Sequence, residues 1–74
     1  MRIYVELHEV VESEDIEPDL VRIDVTDWSK EDIDTLVKEL KDYANSNYKH
    51  YRLFIHYCRH DEGGSCSFAL IGEK

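Results

Sequence analysis

In the run His56-Tyr57-Cys58-Arg59-His60, imidazole, thiol and imidazole fall at every second position. Alternate side chains of an extended strand share a face, so His56, Cys58 and His60 point the same way. Imidazole and thiolate are good zinc ligands, and a neighbouring imidazole can activate a thiol as a nucleophile. Strand geometry weighs against both. At about 3.3 Å rise per residue, His56 and His60 stand roughly 13 Å apart at Cα, while a zinc–nitrogen bond is only about 2 Å. A nucleophilic Cys58 would sit on an open sheet with no oxyanion pocket and no exclusion of water. The preferred reading is a polar, partner-facing surface, with no metal, no cofactor and no catalytic residue assigned.

A second candidate is the acidic stretch from Glu9 to Asp19, in which six of eleven residues are acidic. Calcium chelation fails on spacing, because the loop lacks the D-x-D-x-D-G pattern. What remains is electrostatic: Glu12, Glu14, Asp15, Glu17 and Asp19 can meet a basic surface. Glu31, Asp32 and Asp34 are accounted for locally, since carboxylates stabilise the positive end of a helix. A third candidate is an outward set, Tyr4, Phe54 and Ile71 among Arg22, Arg52, His8, His56 and His60. Aromatics mixed with Arg mark interfaces, and a similar mixture stacks bases in some RNA-binding sheets.

These residues must be positioned by short elements. Residues 2–8 alternate, with Ile3, Val5 and Leu7 on one face and Tyr4, Glu6 and His8 on the other, the period of a half-buried strand. Residues 20–26 repeat the pattern with Val21, Ile23 and Val25. A helix follows. Ser29 is its N-cap, and Trp28 and Ile33 have the spacing of a hydrophobic staple. Ile33, Leu36, Val37, Leu40, Tyr43 and Ala44 form the apolar stripe, and Asn45-Ser46-Asn47 ends it. Residues 50–60 and 66–71 are the third and fourth strands.

Gly63-Gly64 between them suits a two-residue type I′ turn. That turn pairs Tyr57 with Leu70 and Arg59 with Phe68, and places Ile55, Tyr57, Phe68 and Leu70 on the core face. Cys66 then points to the core side, opposite to Cys58, which disfavours an intrachain disulfide. The fold class is α+β: one ββαββ domain over residues 1–74, a four-stranded sheet with a helix on one face. The β-grasp-like order 2-1-4-3 is preferred, because Ala69 and Ile71 make the last strand apolar on both sides. The antiparallel order 2-1-3-4 is the alternative.

Composition narrows the function. Net charge is −8, and it is lopsided. Residues 1–34 hold twelve acids and three bases, while residues 35–74 hold five acids and six bases. Such a field repels phosphates, so direct DNA binding and anionic membranes are not expected partners. No apolar run spans a bilayer, the N-terminal residues lack a signal-peptide core, and a cytoplasmic location is expected. The expected function is a small, non-enzymatic, acidic protein-binding module that uses Glu12, Glu14, Asp15, Glu17, Asp19, Tyr4, Phe54 and His56. It would act as an inhibitor covering a basic nucleic-acid-binding surface of its protein partner, the mode of virus-encoded anti-defence and anti-CRISPR proteins. The alternatives are a homodimer, metal binding through the His/Cys face, and RNA binding on the sheet.

Overall fold

The structure, a computed structural model, describes residues 1–74. Strand β1 (Arg2–Glu9) is followed by β2 (Leu20–Asp24), helix α1 (Lys30–Asn47), β3 (Tyr51–Cys58), a 3-10 turn at His60–Glu62, and β4 (Ser67–Glu73). The four strands form one antiparallel sheet in the order β2-β1-β3-β4. The ββαββ class is as the alternation predicts, but the order is the 2-1-3-4 alternative and not the preferred 2-1-4-3.

Helix α1 starts where its capping residue requires. Ser29 is extended, and its hydroxyl accepts from the Asp32 amide at 3.2 Å, satisfying one of the orphan donors of the first turn. The apolar stripe of the helix then covers the inward residues of the sheet. Val5, Leu7, Val25 and Leu53 are fully buried, closed over by Leu40, Ala44, Tyr48 and Tyr51. Tyr48 keeps its hydroxyl satisfied by donating to Asp19 at 3.2 Å, and Tyr51 donates to Asn45 at 3.1 Å. The body measures 37 × 28 × 15 Å, room for the sheet and its one helix but not for a further layer, so the sheet face opposite the helix is open.

The β3–β4 hairpin departs from the expected register. Tyr57 faces Ser67, His56 faces Phe68, Ile55 faces Ala69 and Phe54 faces Leu70. The two-residue Gly-Gly turn does not form. The chain leaves β3 at Cys58 and winds into the 3-10 turn, where the Arg59 carbonyl accepts from Glu62 at 3.0 Å and from Gly64 at 2.9 Å. Gly63 ends the turn at φ 76°, a left-handed conformation that glycine adopts without strain. The pairing slides by three residues, and an odd slide exchanges the faces of a strand. Ala69 and Ile71 therefore face the helix, while Phe68 and Leu70 are half exposed on the open side. Ile71 is the extra residue where the pairing steps from Phe54–Leu70 to Leu53–Gly72. The double-sided apolar character of β4 thus reflects an edge strand with an uncovered face, not a central one.

Candidate functional site

The open face is laid out in rows by the strand pairings. Arg2 and Cys58 are neighbours at one end, and then come Asp24, Tyr4, His56 and Phe68 in a row across the sheet. The next row is Arg22, Glu6, Phe54 and Leu70. The predicted residues Tyr4, Phe54 and His56 are therefore brought together. His56 lies between two aromatic rings, stacked on Phe68 with centroids 4.3 Å apart and tilted against Tyr4 at 5.4 Å. This sandwich buries an imidazole on a face that has no covering layer.

At the centre is Glu6, whose side chain is 2% exposed. Its Oε1 accepts from His8 Nε2 at 2.9 Å and its Oε2 accepts from His56 Nδ1, while the Arg22 guanidinium forms an ion pair with Oε2 at 3.2 Å. Burial alone would raise the Glu6 carboxyl. The hydrogen bonds from His8 and His56, helped by the Arg22 charge, outweigh it and hold the group below the ordinary value of 4.5. Arg22 also lies 5.3 Å from the centroid of the Tyr4 ring, and Arg2 pairs with Asp24 at 3.0 Å. Two of the outward arginines are thus engaged within the molecule.

A second cluster sits at the end of this face. Because the register slides, Cys66 lies opposite Cys58, one step beyond the Tyr57–Ser67 pair, and not on the core side. A coordinating atom of His56, Cys58 and Cys66 can be chosen so that all three lie within 4.8 Å of one another. His56 Nε2 is buried and has no hydrogen-bond partner. His60 is close as well, its Nδ1 3.4 Å from Cys58 Sγ and 3.7 Å from Cys66 Sγ. Ending β3 at Cys58 and curling the chain brings His60 back beside the two sulfurs. Desolvation, then the hydrogen bond with Cys58, pushes the Cys66 thiol above its ordinary value. The donors are of the kind zinc takes.

The predicted acidic residues Glu12, Glu14, Asp15, Glu17 and Asp19 are exposed in the β1–β2 connection. Asp19 is engaged by Tyr48, while Glu12, Glu14, Asp15 and Glu17 form no ion pair. The root of this loop meets the sheet face. An open groove runs between Val10, Val11 and Pro18 on the loop side and His8, Phe54 and Phe68 on the sheet side. Sequence reasoning missed Glu6 as the centre of the face and missed Phe68, Leu70 and Cys66 altogether. The signal for Glu6 was its place beside His8 on a strand whose outward neighbours are His and Arg. The other three depended on the register. No helix is long and apolar enough to cross a membrane. No protein-family model, curated protein or solved structure matches the chain.

Proposed function

We propose that the protein is a non-enzymatic binding module whose open sheet face and acidic loop together receive a protein segment that is basic and carries apolar side chains. The observation that carries this reading is the groove joining the two surfaces. Its floor is aromatic, from Phe54 and Phe68, its lining includes Glu9 and Arg52, and Val11 at its loop edge is followed along the chain by the unpaired carboxylates Glu12, Glu14, Asp15 and Glu17. Apolar contact supplies affinity at the centre of an interface. Complementary charge at the rim speeds encounter and selects the partner. The engagement of Arg2 and Arg22 by Asp24 and Glu6, with the net charge of −8, favours a protein segment over RNA. By occupying such a segment, the module would inhibit a nucleic-acid-handling protein through its basic surface, an anti-defence mode of action.

A peptide of alternating arginine and leucine is the probe. At low salt it should shift the amide resonances of residues 12–17 and of Phe54 and Phe68 in the same titration, and added salt should weaken the effect. The triple variant Glu12→Lys, Glu14→Lys, Glu17→Lys should lose most of the response while its circular dichroism stays unchanged. Shifts confined to the loop, with Phe54 and Phe68 unmoved, would reduce the surface to nonspecific charge attraction. An unchanged response in the triple variant would remove the loop from the site.

A further inference from the structure

We propose that His56, Cys58, Cys66 and His60 bind one zinc ion, and that Glu6 orients His56 toward it. The inference is independent of any docked partner. It rests on four side chains from three separate pieces of chain that converge at one end of the hairpin.

One nitrogen of His56 is orphaned. His56 is nine-tenths buried, and its Nδ1 is held by Glu6. An ionised carboxylate can only accept, so Nδ1 carries a proton, which leaves Nε2 as the ring atom whose lone pair a metal ion would take. That lone pair has no partner in the fold. Buried polar atoms are satisfied as a rule, and an exception points to a missing ligand, water or ion. A histidine that binds a metal through one nitrogen and donates to a carboxylate through the other is the usual outer-shell arrangement of zinc sites.

Zinc–sulfur bonds of about 2.3 Å and zinc–nitrogen bonds of about 2.0 Å in a tetrahedron set ligand–ligand edges of roughly 3.3–3.8 Å. His60 Nδ1 stands 3.4 Å from Cys58 Sγ and 3.7 Å from Cys66 Sγ, already at such edges. The His56, Cys58 and Cys66 donors lie within 4.8 Å of one another, so these three need to close by only about 1 Å, and the exposed His60 ring, already beside both sulfurs, turns toward the same point as the fourth ligand. Two thiolates with two imidazoles make a soft tetrahedral set suited to zinc. On binding, the two thiols release their protons to solvent and both sulfurs become thiolate ligands. The ion would pin the 3-10 turn to the start of β4, a hairpin end otherwise held by a few backbone hydrogen bonds and by the N-terminal ammonium paired with Asp61 and Glu62.

The test uses full-length protein purified without chelator, kept reduced, and analysed for metals. One zinc per chain is expected. After chelator stripping, cobalt(II) should restore one ion per chain, with thiolate charge-transfer absorption and the intense visible bands of tetrahedral cobalt. Cys66→Ser should abolish those bands, and His60→Ala, a change on an exposed turn, should weaken zinc binding at least tenfold. Glu6→Gln keeps an acceptor for Nδ1 but removes its charge, and should weaken zinc by about 10–100-fold with the tetrahedral spectrum retained. Circular dichroism of each stripped variant against stripped wild type separates ligand loss from misfolding. Reduced wild type with both thiols titratable that takes up neither zinc nor cobalt overturns the site. Undiminished zinc affinity in a folded Cys66→Ser variant overturns the ligand set, and iron in place of zinc overturns the choice of metal.

Discussion

Replacing Glu6 by alanine should destabilise the fold far more than its place on an uncovered sheet face suggests. Three partners converge on this carboxylate, two histidines through hydrogen bonds and Arg22 through an ion pair, and they are not equivalent. The His8 and Arg22 side chains are 40% and 52% exposed, so each regains water when Glu6 is removed. Ion pairs of that kind are worth only about 0–1 kcal/mol. The His56 side chain is 8% exposed and cannot rehydrate between Tyr4 and Phe68. A buried donor left without a partner costs about 1–3 kcal/mol. Removing a buried carboxylate also relieves its own desolvation, which keeps the total below the roughly 3–5 kcal/mol seen when a wholly buried ion pair is broken. The expected loss is about 2 kcal/mol, of a total near 4–11 kcal/mol for a chain of this length. For a domain of this size that lowers Tm by about 8–16 °C.

Urea denaturation of reduced, chelator-treated protein reads this loss without any metal contribution. A double-mutant cycle with His56→Phe assigns it. Phenylalanine keeps the ring between Tyr4 and Phe68 but has no nitrogen to strand, so Glu6→Ala should cost at least about 1 kcal/mol less in that background. A loss within about 0.5 kcal/mol of wild type would place Glu6 among ordinary surface residues and refute the reasoning. Equal losses in both backgrounds would mean that Glu6 acts through packing and not through His56.

Other outcomes follow from the same structure. Leu70→Ser, on the exposed face of β4, should change stability by no more than about 0.5 kcal/mol, whereas Leu53→Ala in the core should cost about 2–5 kcal/mol. Comparable losses, read by urea denaturation, would return Leu70 to the core and restore the Gly-Gly register. Ser29→Ala should cost about 1 kcal/mol through loss of the N-cap, measured as a fall in Tm; an unchanged Tm would mean that the helix start is held by other contacts. Asp24 accepts from the Thr26 hydroxyl and amide and then from Arg2, and these bonds lower its carboxyl below the ordinary 3.8. Its contribution is therefore present above that value and lost as pH falls through the lowered one. Asp24→Asn should flatten the acid limb of a stability–pH series, and an unaltered limb would remove Asp24 from that balance.

Much of the fold was legible because period-2 and period-3.6 patterns read which residues face inward without needing to know their neighbours. Ile3, Val5 and Leu7 on β1 and Leu53 and Ile55 on β3 needed only alternation. Ser29 and the stripe from Ile33 to Ala44 needed only local helix chemistry. Strand order was less legible, because a strand that is apolar on both faces has two explanations. Ile71 packs on the helix side of an edge strand where Ala69 is itself exposed, while Phe68 and Leu70 are left exposed on the other side. Composition cannot tell this from burial on both sides in the middle of a sheet.

The site was legible only in part, and the reason is the register of one hairpin. Tyr4, Phe54 and His56 lie on strands whose faces follow from alternation alone, so their shared face is legible in the sequence. Cys66 belongs to a strand whose face depends on the turn before it. A two-residue turn and a 3-10 turn differ there by an odd number of residues, and Gly63-Gly64 is compatible with either. In the first register the two sulfurs stand on opposite sides of the sheet and His56 Nε2 faces no ligand from β4. In the second they face each other beside it. The same slide that uncovers Phe68 for the groove brings Cys66 to His56, so one local choice of turn sets both the aromatic floor and the thiol pair. The choice is decided by hydrogen bonds that no side chain advertises. They run from the amides of Glu62 and Gly64 to the Arg59 carbonyl, with Gly63 supplying the left-handed step.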